Sequence, residues 1–471
     1  MRLELRLSGL LEYKQNRSAE TRLVRLSLFF KIKKGLDIPL KGRPDERIDV
    51  ATEVKSVAVL GNDYVGLKPT MLVKEGDRVK QGSALFEDKK NRGVFITSPA
   101  SGTVASINRG AKRALVSVVI DIDGDDAIEF KSSDIVAIGK EEICSTLQES
   151  GLWASFRTRP YGKIPSIDSS SNSIFVNAMD TNPLSVNPSV IINERAADFA
   201  LGVSVLSKFE VPVYVCQSDD AQLPDLSGNG VETAKFSGKH PAGLSSTHVH
   251  YIDPVDNNKT VWTIGYQDVI AIGALFSTAK LDVTRYVAVA GPLVNSPRVF
   301  STRLGAKISD LVEGRTAEGK KRVISGSVLN GHTAIGDVDF LGRYDNQVSV
   351  IEEHDDREFM GWIAPGRTKF SALNVFVSSI LKPRNFDIST SQYGSPRAIV
   401  PIGVFEKVMP LDILPTPLVK SILVKDTDAA QELGCLELVE EDMSLLSFVD
   451  PGKHDFGPVL RTTLTQIERE G

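Results

Sequence analysis

The run LVKEGDRVKQGSALFEDKK at residues 72–90, followed by FITSPASGTV at 95–104, constrains the fold more than any other stretch of the chain. Short Val/Leu-rich runs are separated by Gly76 and Gly82, where tight reversals between strands need φ > 0 and glycine takes it without steric cost. Pro99 and Gly102 mark the next turn. The spacing predicts a β-hammerhead with its loop over 72–90 and a returning strand over 95–104.

The pattern is similar to the barrel-sandwich fold of biotinyl and lipoyl carrier domains. In a carrier, one lysine at a hairpin tip is acylated, and the candidates here are Lys89 and Lys90 in EDKKN. No Met-Lys-Met triplet is present, and the distance to SPASG is longer than in lipoyl domains. Exposed lysine is the commonest state of lysine, so the module reads as a docking element rather than a swinging arm. A free-standing carrier stays open as a third functional class, and an adduct on Lys89 or Lys90 in the intact mass would mark it.

With 471 residues the chain has room for about three to four domains. Hydrophobic content of 41% and charged content of 24% are those of an ordinary globular protein. The net charge of −5 is uneven. Residues 1–47 hold twelve Lys/Arg against six Asp/Glu, which leaves −11 for the remainder. An acidic body argues against nucleic acid as a partner. The first thirty residues mix Leu with Arg and Glu throughout, without the uninterrupted apolar core or small-residue cleavage site of a secretory signal. They read as a weakly amphipathic surface helix or as a translated upstream stretch outside the fold, with the second favoured. The best candidate for a membrane span, TVWTIGYQDVIAIGALFSTA at 260–279, contains Gln267 and Asp268. A charge near the middle of a span costs about 2.5–3.5 kcal/mol, so a buried helix preceded by a strand is expected instead. Cys144, Cys216 and Cys435 form no CxxC motif and cannot supply the four ligands of an ordinary iron–sulfur cluster. A sparse, odd count suits a reducing compartment.

Residues 31–135 are β-rich and close with VSVVIDIDG at 116–124. Residues 138–157 turn helical, and 173–280 alternate strand-like and helical runs, which implies an α/β layer. Short strands return over 286–350, with turns at Gly291-Pro292, Gly305 and Gly326. Residues 370–382 and 416–470 read as mainly helical, Pro451 and Gly452 dividing the last stretch in two.

The common catalytic signatures GxGxxG, GxxxxGK[ST], GxSxG and HExxH are missing. The one histidine cluster is HPAGLSSTHVH, with His240, His248 and His250. If His248 and His250 share a strand face and His240 approaches across a turn, three zinc ligands meet. With no cysteine nearby and Asp253 the nearest carboxylate, a polar loop that contacts a ligand or holds structure is the default, and no metal site is assigned.

A wider resemblance rests on IKKGLDIPLKGRP (32–44), NDYVGLKPTMLVKEGD (62–77), SPASGTV (98–104), SGLWASFRTRPYGKIP (150–165), VNAMDTNPL (176–184), HPAGLSSTH (240–248), YQDVIAIG (266–273), LGRYDNQVSV (341–350), RAIVPIGVFEKVMPLDI (397–413) and DPGKHDFGPVLR (450–461). In order, from about residue 31 to the end, these resemble the A-subunit family of bacterial sodium-translocating NADH:quinone reductases. The resemblance implies an α/β multidomain chain: a barrel-sandwich-hybrid domain over 31–137, a Rossmann-like α/β domain over 138–285, an SLBB-like β-grasp domain over 286–360 and a mainly helical domain over 361–471, with 1–30 outside. It also implies a peripheral subunit on the cytoplasmic side of the bacterial inner membrane, one of six in a complex that passes electrons from NADH to ubiquinone and exports sodium. No cofactor is implied for this subunit; FMN, riboflavin, FAD and iron–sulfur belong to partner subunits.

The layout is also similar to the NADH-binding flavoprotein of respiratory complex I, where a glycine-rich loop brings backbone N–H groups to phosphates. The equivalent stretch here, Gly151 to Thr158, carries Trp153 and Phe156 in place of glycines, and bulk blocks that approach. Arg157 and Arg159 could still attract an anion. Cys435 stands alone where such relatives place a four-cysteine motif. A quinone needs an apolar cleft and one or two polar groups for its carbonyl oxygens. His240, His248, His250, Tyr251, Trp262 and Tyr266 are the candidate contacts. The expected role is therefore that of a subunit which helps to position ubiquinone and assists electron transfer to it; the alternative is a purely structural scaffold with no quinone contact.

Overall fold

A computed structural model describes residues 28–131, 137–226, 228–354, 365–381 and 385–470. Residues 1–27 of the expected N-terminal extension lie outside the described residues. Leu28–Phe30, also expected outside the fold, belong to it: β1 (Leu28–Lys31) lies parallel to residues 234–237 at the edge of the α/β sheet. The reason is apolar, since the Phe30 ring stacks on Phe236 with centroids 4.9 Å apart. Next, β2 (Asp45–Val50) pairs in parallel with residues 298–301 of the β-grasp sheet. The segment ahead of the barrel thus donates its strands to two other sheets.

The barrel itself holds β3 (Ser56–Leu60), β4 (Pro69–Met71), β5 (Arg78–Val79), β6 (Ala84–Asp88), β7 (Phe95–Thr97), β8 (Gly102–Arg109) and β9 (Leu115–Ile122). They form two sheets, β3-β9-β8-β5 and β4-β6-β7. Val57, Leu85, Phe86, Val118 and Ile120 fill the space between them and are fully buried. Gly76 and Gly82 have φ of 87° and 89°, as the reversals require. Gly102 differs from its expected role in a turn: it opens β8, where a Cβ would overlap the Asp121 carbonyl oxygen. Lys89 and Lys90 are exposed in the turn after β6.

The α/β layer follows, with α1 (Lys140–Glu149), β10 (Arg157–Arg159), β11 (Ile174–Ala178), α2 (Pro188–Glu194), α3 (Ala196–Ser207), β12 (Val213–Ser218), β13 (Val231–Ser237), α4 (Ser245–Ile252), β14 (Val261–Gly265) and α5 (Tyr266–Thr278). The sheet order is β1-β13-β12-β11-β14-β10, parallel throughout except β10 against β14. Its central strands are apolar on both faces because helices cover them. The stretch 260–279 is the expected strand and buried helix, and among the described residues no helix is long and apolar enough to cross a membrane. Gly202 of α3 and Gly273 of α5 face each other's helix so closely that a Cβ on either would overlap a backbone carbonyl oxygen.

The β-grasp sheet comprises β15 (Thr284–Ala290), β16 (Arg298–Arg303), β17 (Lys321–Ser325), β18 (His332–Thr333) and β19 (Gln347–Glu352), in the order β18-β17-β19-β15-β16-β2, with α6 (Ile308–Val312) packed on it. Of the helix expected over 370–382, the described part is only α7 (Ser378–Leu381). The β-branched residues of Asn-Val-Phe-Val at 374–377 lower helix propensity there. The last body holds α8 (Val404–Val408), α9 (Pro415–Val424), α10 (Thr427–Glu432), α11 (Glu440–Val449) and α12 (Phe456–Glu470), with Pro451 and Gly452 between the final two. Phe405, Leu418, Leu446, Phe456 and Leu460 form its core.

Candidate functional site

In the α/β sheet β12 and β13 lie on one side of β11 and β14 lies on the other. The connections therefore reverse direction between β11 and β14, and the crevice beyond the carboxyl ends of such strands is where open α/β sheets take ligands. A cleft of about 360 Å³ opens there. Its lining includes Asn177 near the end of β11 and Asp180 just beyond it, Gln267 at the start of α5, Asp63 from the barrel, Arg343 from the β-grasp domain and Glu441 from α11. All four domains meet at its wall.

Charge dominates the wall, and most of it is answered internally. Asp268 accepts from Arg285 Nη2 at 2.6 Å and from Arg343 Nη1 at 2.7 Å. Arg343 also donates to Ser155 Oγ at 2.7 Å, and its backbone N–H donates to Asp63 at 2.8 Å. Burial, helped by the neighbouring Asp345 charge, pushes the Asp63 carboxyl up to about 7. Burial raises Asp180 to about 6. On the opposite wall Glu441 accepts from Arg159 at 3.2 Å and lies 3.5 Å from Arg157, whose guanidinium sits 4.7 Å over the Tyr344 ring. Arg159 donates through Nε to Ser246 Oγ at 3.0 Å, and Ser246 donates to Asp442 at 2.7 Å. Burial first, then the Glu441 charge, lifts Asp442 to about 7. The anion that Arg157 and Arg159 were expected to attract is thus Glu441 of the same chain.

The expected contact residues do not converge on this cleft. His248 and His250 lie on α4, a helix, and not on a strand. Ser245 and the residues after it continue into helical turns that bury Thr247, His248 and Val249 against the sheet. His248 is fully buried, with Nε2 bonded to the Ala242 carbonyl at 3.0 Å and its ring 4.3 Å from that of Phe236. His240 is also buried, its Nδ1 3.2 Å from Thr181 Oγ1. Burial depresses both imidazoles to about 4. His250 faces the helical domain, where Nδ1 meets Glu437 at 2.7 Å and Nε2 accepts the Asp412 N–H at 3.0 Å. Tyr251 donates to the Pro410 carbonyl at 3.0 Å. Trp262 is buried among Trp153, Phe156 and Phe209. Of the six, Tyr266 alone lines the cleft. Among the described residues no group of three or more His, Cys, Asp or Glu side chains could hold a metal ion.

The stretch from Gly151 to Thr158 turns its bulk inward. Gly151 has φ of 79°, and a Cβ there would press on Thr97 at 2.5 Å. Trp153 and Phe156 are buried with ring centroids 5.6 Å apart, and the Trp153 indole donates to the Pro165 carbonyl at 2.9 Å.

Asp268, Arg285 and Arg343 were not singled out from the sequence as site residues. One signal was available: a carboxylate and an amide opening an otherwise apolar helix directly after a strand mark the end of that strand as a polar site.

Three family models match: the NqrA N-terminal barrel-sandwich hybrid domain over residues 30–123, the NqrA second alpha/beta domain over 138–281 and the NQRA C-terminal domain over 286–335. Among full-length relatives, the chain is 53% identical over 445 residues to the Na(+)-translocating NADH-quinone reductase A-subunit of Saccharophagus degradans, covering 94% of this chain and 100% of that one. It is 52% identical to the same protein of Rhodopirellula baltica, covering 94% and 98%. With that of Neisseria gonorrhoeae it shares 53% identity, covering 94% and 100%.

Proposed function

The chain belongs to the A-subunit (NqrA) family of the Na(+)-translocating NADH-quinone reductase, and from that premise we propose that it serves the complex as a scaffold with no redox step of its own. The observation that carries this reading is placement: every candidate group but Tyr266 is buried away from the cleft or bonded within the chain, and the atoms left without a partner, His240 Nε2, His248 Nδ1 and Trp262 Nε1, are themselves buried. His240 and His248 are buried, and His250 and Tyr251 bridge to the helical domain. A quinone ring needs an apolar slot with a free donor for its carbonyl oxygen. The large cleft instead presents Asp268 paired with Arg285 and Arg343, and Glu441 paired with Arg157 and Arg159, beside the carboxyl of Asp180, which has no cation paired with it among the described residues. The inward packing of Trp153 and Phe156 supports the absence of a phosphate cradle at that loop. On this reading flavins and iron–sulfur centres reside in partner subunits, the chain sits peripherally on the cytoplasmic side of the membrane, and sodium moves through other chains.

A quinone-positioning role is the second reading, favoured by one observation: the Tyr266 side chain lines the cleft. Equilibrium binding of a short-tail ubiquinone to the full purified chain, with flavin content recorded in parallel, separates the two. The scaffold reading expects no saturable binding and no flavin. Saturable one-site binding that is lost in Tyr266→Phe overturns it in favour of quinone positioning.

A further inference from the structure

Fifteen large apolar side chains stand exposed among the described residues, and ten of them come from positions 375–448. Four lie within seven residues: Val375, Val377, Ile380 and Leu381, with 65%, 40%, 79% and 52% of their surface open. Exposed aliphatics at a frayed end would mean little, but this segment is fastened. The Val377 N–H donates to the Pro365 carbonyl at 2.9 Å, and Ser378 Oγ donates to the Lys369 carbonyl at 2.5 Å. Phe370 stacks on Phe448 with centroids 6.2 Å apart and contacts Phe386 at 5.5 Å. Phe370 and Leu373 face the helical core, which leaves the four aliphatics outside it. Among the described residues nothing covers this fastened aliphatic cluster, and an exposed apolar patch of that kind marks an interaction surface.

Charge and size decide the occupant. Residues 365–381 contain Arg367 and Lys369 and no carboxylate, in a chain of net charge −5. A partner with an apolar face rimmed by Asp and Glu fits that pattern. A lipid surface fits less well. Membrane-surface helices bury a long apolar face and carry many cations with aromatic residues at the boundary, whereas α7 has four residues, Ser-Ser-Ile-Leu. Family membership supplies the source of a protein partner, since the relatives are each one subunit of a larger complex. We infer that Val375, Val377, Ile380 and Leu381, flanked by Arg367 and Lys369, form the docking surface through which this chain is held by an apolar, acid-rimmed face of another subunit of the same complex.

The test uses the assembled complex purified through a tag on a different subunit. The double variant Val375→Glu/Ile380→Glu should reduce retention of this chain at least tenfold, while the melting temperature of the isolated chain stays at the parent value. Arg367→Glu/Lys369→Glu should release the chain at lower salt than the parent. Should the double variant fail to fold, Ile380→Cys keeps the question open to measurement, and a thiol cross-linker should join it to a partner subunit in the complex. Parent-like retention of the folded double variant, or no cross-link from Ile380→Cys, overturns the inference. Sedimentation of the isolated chain with phosphatidylglycerol vesicles, abolished by the double variant while retention in the complex is unchanged, overturns it in favour of a lipid surface. None of these readouts depends on quinone binding, so failure here and failure of the scaffold reading are separable.

Discussion

His240 and Asp442 are both buried, and burial shifts them in ways that give stability opposite pH dependences. The His240 imidazole titrates near 4 in the folded chain against 6.5 when unfolded. Its contribution is present above about 6.5 and is lost as pH falls toward 4. Asp442 titrates near 7 when folded against 3.8 when unfolded. Its contribution is present below about 3.8 and is lost as pH rises through 7. Asp442→Asn keeps an oxygen for the Ser246 hydroxyl and the Val439 N–H, which both donate to Oδ2. Thermal melting from pH 4 to 8 should therefore show the variant close to the parent at pH 4 and more stable at pH 8. An unchanged decline with rising pH would contradict the assignment.

Between elements, the tightest fit is where α3 crosses α5. Gly202 and Gly273 allow that approach, because a Cβ on Gly202 would overlap the Val269 carbonyl oxygen and one on Gly273 the Asp198 carbonyl oxygen. Gly273→Ala should cost about 1–3 kcal/mol, the range of an overpacked core, and a denaturant midpoint equal to the parent's would refute the close crossing. At this scale much of the fold was legible. The Val/Leu runs around Gly76 and Gly82 specified the barrel, and the apolar stretch 260–279 specified a strand and a buried helix. The His248 and His250 segment was misread because Thr-His-Val-His-Tyr alternates polar and apolar groups like a strand, while the helix it belongs to is fixed by packing against β11 and the helical domain. The site was hidden for a different reason. Asp63, Asp268, Arg343 and Glu441 are separated by up to several hundred positions, and no local pattern links a barrel turn to a helix start, a β-grasp loop and a terminal helix.

For the molecule as a whole, Asp268 is the charged tie, beside the neutral bonds of Gln267 to Tyr286 and Asn346, between the α/β layer and the β-grasp domain, and the Arg343 it holds also donates its backbone N–H to the barrel residue Asp63. Asp268→Ala would leave Arg285 and Arg343 buried without their shared carboxylate. Removing one partner of a buried ion pair costs about 3–5 kcal/mol. Calorimetry should show this loss with the domains no longer melting together, and a single transition at the parent temperature would refute the tie.

The outlying strands β1 and β2 carry a consequence for how the chain is made. β1 leaves the ribosome about 200 residues before its neighbour at 234–237, and β2 waits still longer for residues 298–301. At roughly 5–20 residues per second these are waits of roughly 10–50 s. The barrel can close while both strands remain open on its amino-terminal side, so the first part synthesised is among the last to be locked. A nascent chain halted before residue 300 would present unpaired strand edges, the form most open to chaperones and to self-association.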